Sequence, residues 1–203
     1  MAPSTNNTVK SGWSFMLSAP HERALPDGRV PEFAFMGRSN VGKSSLLNAL
    51  MDCPMLARVS KKPGCTQAIN FYHHTDHVRL VDLPGMGYAK VSKGTQRQWD
   101  RLLPAYLTRR PNLVHVYLLV DSRHPIQPVD QMALDFLRAH DVPFHIILTK
   151  VDCIPSAVLD QRMSALALDA TVHLFPVSAR KNKGIDPVRM HITTSLPDHG
   201  VPA

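Results

Sequence analysis

The apolar positions of this chain fall into short runs separated by stretches of helical period. Residues 33–36 (FAFM), 78–81 (VRLV), 113–120 (LVHVYLLV), 143–148 (PFHIIL) and 171–175 (TVHLF) read as strands, the third a continuous run suited to burial on both faces. Residues 69–74 (INFYHH) and 77–81, separated by Thr75 and Asp76, read as an antiparallel hairpin at one edge. Between these runs, residues 43–51, 96–109, 129–140 and 156–168 carry apolar positions at helical spacing. Alternation of strand and helix predicts an α/β protein of three layers, with a mostly parallel six-stranded sheet, one antiparallel edge strand and helices on both faces. Residues 1–30 are weakly patterned and are expected to be a partly ordered extension. A single domain is expected over 31–197, followed by a tail at 198–203.

Composition narrows this picture without redirecting it. The 203 residues suit one well-buried core, and no apolar run approaches the roughly 20 residues of a membrane span. The first residues lack a basic leader followed by a long apolar core, so no secretory signal is read. Three widely spaced cysteines, Cys53, Cys65 and Cys153, form neither a disulfide framework nor a zinc knuckle and suggest a reducing cytoplasm. Nothing in the pattern suggests an oligomer, and a monomer is expected.

Charge adds one feature. Ten basic residues (Arg58, Lys61, Lys62, Arg79, Lys90, Lys93, Arg97, Arg101, Arg109 and Arg110) face three acids (Asp76, Asp82 and Asp100), so the window 58–110 carries the whole +7 excess. A localised excess points to a polyanionic partner. A solvated basic surface is the plainer alternative.

The most specific stretch is GRSNVGKS at residues 37–44, which fits G-x-x-x-x-G-K-[ST] and sits between a predicted strand and a predicted helix. Gly37 and Gly42 let backbone N–H groups converge on phosphate oxygens, and the loop from Arg38, Ser39, Asn40 and Val41 into Ser45 wraps the phosphates at a helix N-terminus. Lys43 offers a point charge to the outer phosphates and to charge developing in a phosphoryl-transfer transition state. The Ser44 hydroxyl is placed to bind Mg²⁺. Downstream, Asp82, Leu83, Pro84 and Gly85 follow a strand as a Walker-B aspartate should, Asp82 meeting the metal through water and Gly85 offering an N–H to the last phosphate. In the loop Gly64, Cys65, Thr66 and Gln67, the threonine can add a hydroxyl to Mg²⁺.

The base is read further along. Thr149, Lys150, Val151 and Asp152 end a buried strand on the side where open α/β sheets bind ligands. A carboxylate at Asp152 can accept from the N1–H and exocyclic amine of guanine, whereas adenine would leave it unpaired. The Lys150 stem can cover one face of the base. Val177, Ser178 and Ala179 follow the last strand, with a backbone N–H for the guanine O6.

With these residues in hand, the sequence resembles the EngB family (also called YihA or YsxC) of bacterial ribosome-assembly GTPases. The resemblance runs through GRSNVGKSSLLNAL, PGCTQAINFY, LVDLPGMGYAKVSK, LLVDSRH and ILTKVD, from about residue 33 to 152, with a weaker tail through Val177, Ser178, Ala179 and Arg180. Thr149 in place of the commoner asparagine is similar to that family. Met86 and Cys65 depart from it, where an aromatic and a basic residue are usual. The resemblance implies a Ras-like P-loop GTPase fold, binding of GTP and GDP with Mg²⁺, slow hydrolysis, and a role in large ribosomal subunit maturation linked to cell division and septation.

Two consequences concern activity. Ras-like GTPases place a water-orienting glutamine directly after D-x-x-G. Here that residue is Met86, so hydrolysis is expected to be slow and to depend on a partner or a monovalent cation. Asn40 either binds K⁺ beside the phosphates, as in related GTPases, or simply tolerates the loop's backbone angles. The basic window spans both segments that would sense the terminal phosphate, so a large ribosomal subunit precursor or its rRNA is the expected partner for residues 58–110.

Rival readings are a P-loop small-molecule kinase, which would not need the guanine motif, and an RNA-binding module merely stabilised by nucleotide. His73, His74 and His77 suggest a metal site. Neighbours on a strand point to opposite faces, however, so surface hairpin histidines are the expectation. Asp121 reads equally as a turn or a functional residue.

Overall fold

In the computed structural model, which describes residues 12–57, 68–75, 77–86, 102–167 and 171–197, seven strands form one sheet. They are β1 (Trp13–Ala19), β2 (Glu32–Gly37), β3 (Ile69–His74), β4 (Val78–Asp82), β5 (Leu113–Asp121), β6 (Phe144–Thr149) and β7 (Leu174–Pro176). Their order is β1-β3-β4-β2-β5-β6-β7. Helices α1 (Lys43–Leu50), α2 (102–109), α3 (Pro128–Ala139) and α4 (Ser156–Leu166) lie between strands, and α5 (Ile185–Thr194) follows the last.

The three-layer α/β expectation holds, with seven strands in place of six. β3 runs antiparallel to both β1 and β4, so the antiparallel strand is second from the edge, and β1 closes that side. The sequence WSFMLSA shows no clean alternation, because an edge strand with a register shift between Phe15 and Leu17 is only partly covered. Helix α5 was also not expected. Pro187 and five β-branched residues disfavour a helix here, yet Ile185, Val188 and Ile192 form a buried stripe.

Alternation along the central strands divides the core between the two faces. Ala34, Val116, Leu118, Ile146 and Leu148 pack with Leu102 and Tyr106 of α2, Leu134 and Leu137 of α3, and Leu166 of α4. Phe33, Phe35, Tyr117, Leu119 and Ile147 pack with Leu46, Leu47 and Leu50 of α1 and the apolar stripe of α5.

A charged group lies wholly inside. Glu32 is buried at the start of β2 and accepts from Arg79 Nη1 at 3.3 Å, Tyr106 Oη at 2.9 Å, and Arg110 Nε and Nη2 at 2.9 and 2.6 Å. Arg79 Nη2 also reaches Asp27 at 2.8 Å. Burial of a carboxylate is tolerated because its lone pairs are filled by charged donors. This corrects the basic face proposed for 58–110: Arg79 and Arg110 are structural cations turned inward, and Arg109 is exposed. The other seven basic residues of that window lie outside the described residues.

Candidate functional site

The loop between β2 and α1 is shaped by two glycines. Gly42, the residue before α1, has φ +109°, a conformation that side chains resist. A Cβ on Gly85 would come 2.9 Å from Ser39 Oγ, so the segment after β4 lies directly against the loop. Met86 N–H donates to the Gly37 carbonyl at 3.0 Å and fixes that approach. The first intrahelical bond of α1 runs from Leu46 N–H to the Gly42 carbonyl at 2.9 Å. The amides of its first turn therefore have no helical acceptor and suit an anion.

The charges here are paired, and all but Arg38 are buried. The Lys43 ammonium contacts the Asp82 carboxylate, with Lys43 8% and Asp82 2% exposed. Arg38 Nε lies 3.3 Å from Asp130 Oδ2 on α3, whose carboxyl is fully buried and pushed above the usual range by that burial. The Asp82 carboxylate and Ser44 hydroxyl are hard oxygen donors of the kind Mg²⁺ takes, and they border the same loop. Those residues fit the ion. Thr66, the other expected ligand, lies outside the described residues with Gly64, Cys65 and Gln67.

The segment 149–152 is tied to this loop by two hydrogen bonds and to the end of β5 by two more. Thr149 Oγ1 donates to the Val41 carbonyl at 2.7 Å and lies 3.3 Å from that of Val120. Lys150, at φ +60°, donates through Nζ to the Asn40 carbonyl at 2.7 Å and to Asp121 Oδ2 at 2.8 Å. Its stem crosses Gly42, where a Cβ would meet Lys150 Cε at 3.9 Å. Asp121, only 4% exposed, also accepts from Arg123 Nε and Nη2 at 2.9 and 2.8 Å. Burial alone would raise its carboxyl, but the bonds from Arg123 and Lys150 outweigh it and hold the pKa well below the carboxylate range.

Asp152 is exposed, and a hydrogen bond from the Ser178 hydroxyl holds its carboxyl below the usual range. Ser178 is buried and its Oγ accepts the Lys181 N–H at 3.1 Å. Its own backbone N–H goes to the Lys183 carbonyl at 2.9 Å. Of the pair Ser178 and Ala179, expected to give a backbone N–H to guanine O6, the Ser178 amide is thus engaged within the turn.

The structure thus gathers residues 37–44, 82–85, 149–152 and 177–179 at the carboxyl ends of parallel strands. The side chains of Val41, Leu83, Val151 and Val177 are buried, so those residues can offer a ligand their backbone only, and Ser45 points to solvent. Asn40 has φ +64°, which gives its tolerant-backbone reading a geometric footing. Sequence reasoning left Asp121 open between a turn and a functional role and passed over Asp130. Position after a long buried strand was the one signal available for Asp121.

A family model described as "50S ribosome-binding GTPase" matches residues 32–150. The "probable GTP-binding protein EngB" of Streptococcus mutans is 44% identical over 153 residues, covering 75% of this chain and 78% of its own. Its namesake from Streptococcus pyogenes serotype M18 is 42% identical over 177 residues, covering 85% and 89%. A crystal structure of a probable EngB protein shares the fold with TM-score 0.64 at 24% identity, over 81% of this chain and 98% of that one. The structure of Era in complex with MgGDPNP and nucleotides 1506-1542 of 16S ribosomal RNA does so with TM-score 0.67 at 22% identity, over 86% and 59%. The small-molecule kinase reading is thereby set aside. A phosphate loop, a base-reading segment laced to it and this kinship agree, and the chain belongs to the EngB family of GTP-binding, GTP-hydrolysing proteins.

Proposed function

We propose that this protein is a slow GTPase switch in large ribosomal subunit assembly, acting in the cytoplasm as a monomer and needed for normal division and septation. The observation that carries the reading is the charge of window 58–110. Removing Arg79 and Arg110, which serve Glu32, still leaves eight basic residues against three acids, and one of those, Asp82, is buried in the nucleotide site. The window includes both segments expected to sense the terminal phosphate, so nucleotide state can change how cations are presented to rRNA.

The roles within the chain follow from the site. First-turn amides of α1 and Lys43 grip the phosphates, and Mg²⁺, when bound by Ser44, Asp82 and Thr66, neutralises charge on them. Asp152 and the Ala179 amide read guanine while Lys150 covers its face. Met86 is half-buried against the core and has no group to orient a water. Slow turnover follows, with acceleration left to the partner or to K⁺ near Asn40. Equal GTP turnover in K⁺ and Na⁺ would dismiss the cation.

The test is sedimentation of the protein with purified large subunits at several salt concentrations. Tighter binding with a GTP analogue than with GDP, falling steeply with salt, is expected. Indifference to nucleotide would overturn the switch.

A further inference from the structure

At the opposite end of the sheet from the phosphate loop, histidines from separate elements converge. His115 stands near the start of β5, His145 near the start of β6, and His191 in the last turn of α5, the helix covering that face. One nitrogen from each lies within 4.8 Å of the others. Ring centroids are 4.6 Å apart for His115 and His145, 4.3 Å for His145 and His191, and 5.4 Å for His115 and His191. His173, just before β7, adds a fourth ring 5.0 Å from both His145 and His191. Among the described residues this is the one such group of potential ligands.

Two of these rings carry an unexplained cost. His145 is 4% exposed and its Nε2 has no hydrogen-bond partner, and neither has the buried Nδ1 of His115. A buried nitrogen left unpaired is a net cost to the fold unless an ion or water meets it. Burial holds all three rings neutral, pushing His145 down to about 3 and His191 to about 4, with His115 also lowered. Neutral imidazole is the form that ligates metal. The Tyr117 hydroxyl lies 2.8 Å from His191 Nδ1. An Nδ1–H donated to that oxygen leaves His191 Nε2 with its lone pair free, the outer-shell arrangement usual for a metal-bound histidine.

We propose that His115, His145 and His191 form a binding site for a borderline divalent transition metal, Zn²⁺ in the first instance, with exposed His173 or water in the fourth position. Imidazole nitrogens without carboxylate suit Zn²⁺, Co²⁺ or Ni²⁺ and not the oxygen-seeking Mg²⁺ of the nucleotide site. Tetrahedral bonds of 2.0–2.1 Å set ligand nitrogens about 3.3 Å apart. The rings must therefore close by roughly 1.5 Å at most, within reach of side-chain rotation. His145 Nδ1 accepts the His173 backbone N–H at 3.2 Å, which puts the ring proton on Nε2. Ligation through Nε2 moves that proton to Nδ1 and releases the His173 amide, on an exposed residue, to water, with no net proton lost. The site is built into two neighbouring strands and the helix above them, so a bound ion ties α5 to the sheet. Along β5, His115 precedes by four residues the Leu119 that pairs with Gly37, so the site lies about 13 Å from the phosphate loop along the strand.

The test titrates the full, chelator-treated chain, saturated with MgGDP, with Co²⁺ and then Zn²⁺. One Co²⁺ per chain with the intense visible bands of tetrahedral cobalt, displaced by Zn²⁺, is expected. His115→Gln and His191→Gln should each weaken binding at least about tenfold while leaving GDP affinity unchanged. The hairpin pair His73→Gln/His74→Gln should leave metal binding as it was. Circular dichroism checks that each variant is folded, and two independent ligand variants guard against failure of one. No Co²⁺ binding up to millimolar concentration, undiminished binding in both cluster variants, or loss in the hairpin variant would overturn the site.

Discussion

The hydroxyl of Thr149, the last residue of β6, donates to the carbonyl of Val41 at 2.7 Å, joining the base-reading segment to the phosphate loop across a separation of 108 residues. Both are buried, so neither can turn to water instead. Thr149→Val keeps the shape and removes the donor, leaving the Val41 carbonyl unpaired at a cost of about 1–3 kcal/mol. For a domain of this size that is a fall in melting temperature of about 2–4 °C per kcal/mol. Guanine nucleotide affinity should fall with it, because the loop and the base segment are no longer held in register. Calorimetric melting and GDP titration of the same variant check both; an unchanged affinity would limit the bond to a structural role.

Asp121 is the residue that positions Lys150, and its effect should be readable in pH as well as in binding. Asp121→Asn removes the charge facing Lys150 and Arg123, and GDP affinity is expected to drop about tenfold as the lysine stem loses its anchor. Because the carboxyl titrates lower in the folded protein than in the unfolded chain, its stabilising contribution is complete above the ordinary carboxylate range. It is lost progressively as pH falls below that range toward the folded value. Denaturant midpoints measured from pH 7 down to pH 3 should therefore decline less steeply in the variant than in the parent.

How legible these features were depends on how far apart their residues lie. The phosphate loop is eight consecutive residues, and its chemistry can be read without the fold. The pairing of Asp121 with Lys150 joins residues 29 positions apart at the ends of neighbouring strands, set side by side only because Asp121 pairs with Thr149 in the β5–β6 register. Nothing local to LLVDSRH announces it. Helix α5 and strand β1 were hidden for another reason. Each buries a narrow, irregular stripe, and tertiary packing supplies what local periodicity lacks. Ser178 and Ala179 were read as the source of a backbone donor, but the division of labour between the Ser178 amide and its hydroxyl depends on the turn that brings Lys183 back against it. The histidines at 115, 145, 173 and 191 sit singly in apolar runs, and only the sheet brings them together.

Glu32 is the most exacting buried charge among the described residues. Its carboxylate accepts four donor bonds, three from the guanidiniums of Arg79 and Arg110. Glu32→Gln leaves both cations facing a neutral amide, and removal of one partner of a buried ion pair costs about 3–5 kcal/mol. Arg110→Met, which removes an opposing cation and keeps some packing, should cost less because Arg79 still faces the carboxylate. Urea unfolding of both variants orders the two losses. Neither group lies at the nucleotide site, so GDP affinity of the folded fraction is expected to match the parent.

Base selection should rest on Asp152. Its two oxygens match the two adjacent donors of guanine, N1–H and the C2 amine, and the Ser178 hydroxyl fixes the carboxylate's orientation. Asp152→Asn offers one acceptor and one donor instead. The amide N–H then opposes the guanine amine, donor against donor, while xanthine, with N1–H beside a C2 carbonyl, presents the complementary pair. Each lost charge-assisted bond is worth about 1.5–3 kcal/mol, so GDP affinity should fall about 10- to 100-fold while xanthosine diphosphate gains relative to the parent. Competition titrations with fluorescent GDP measure both directions. Parallel losses for the two nucleotides would place base recognition elsewhere than on this carboxylate.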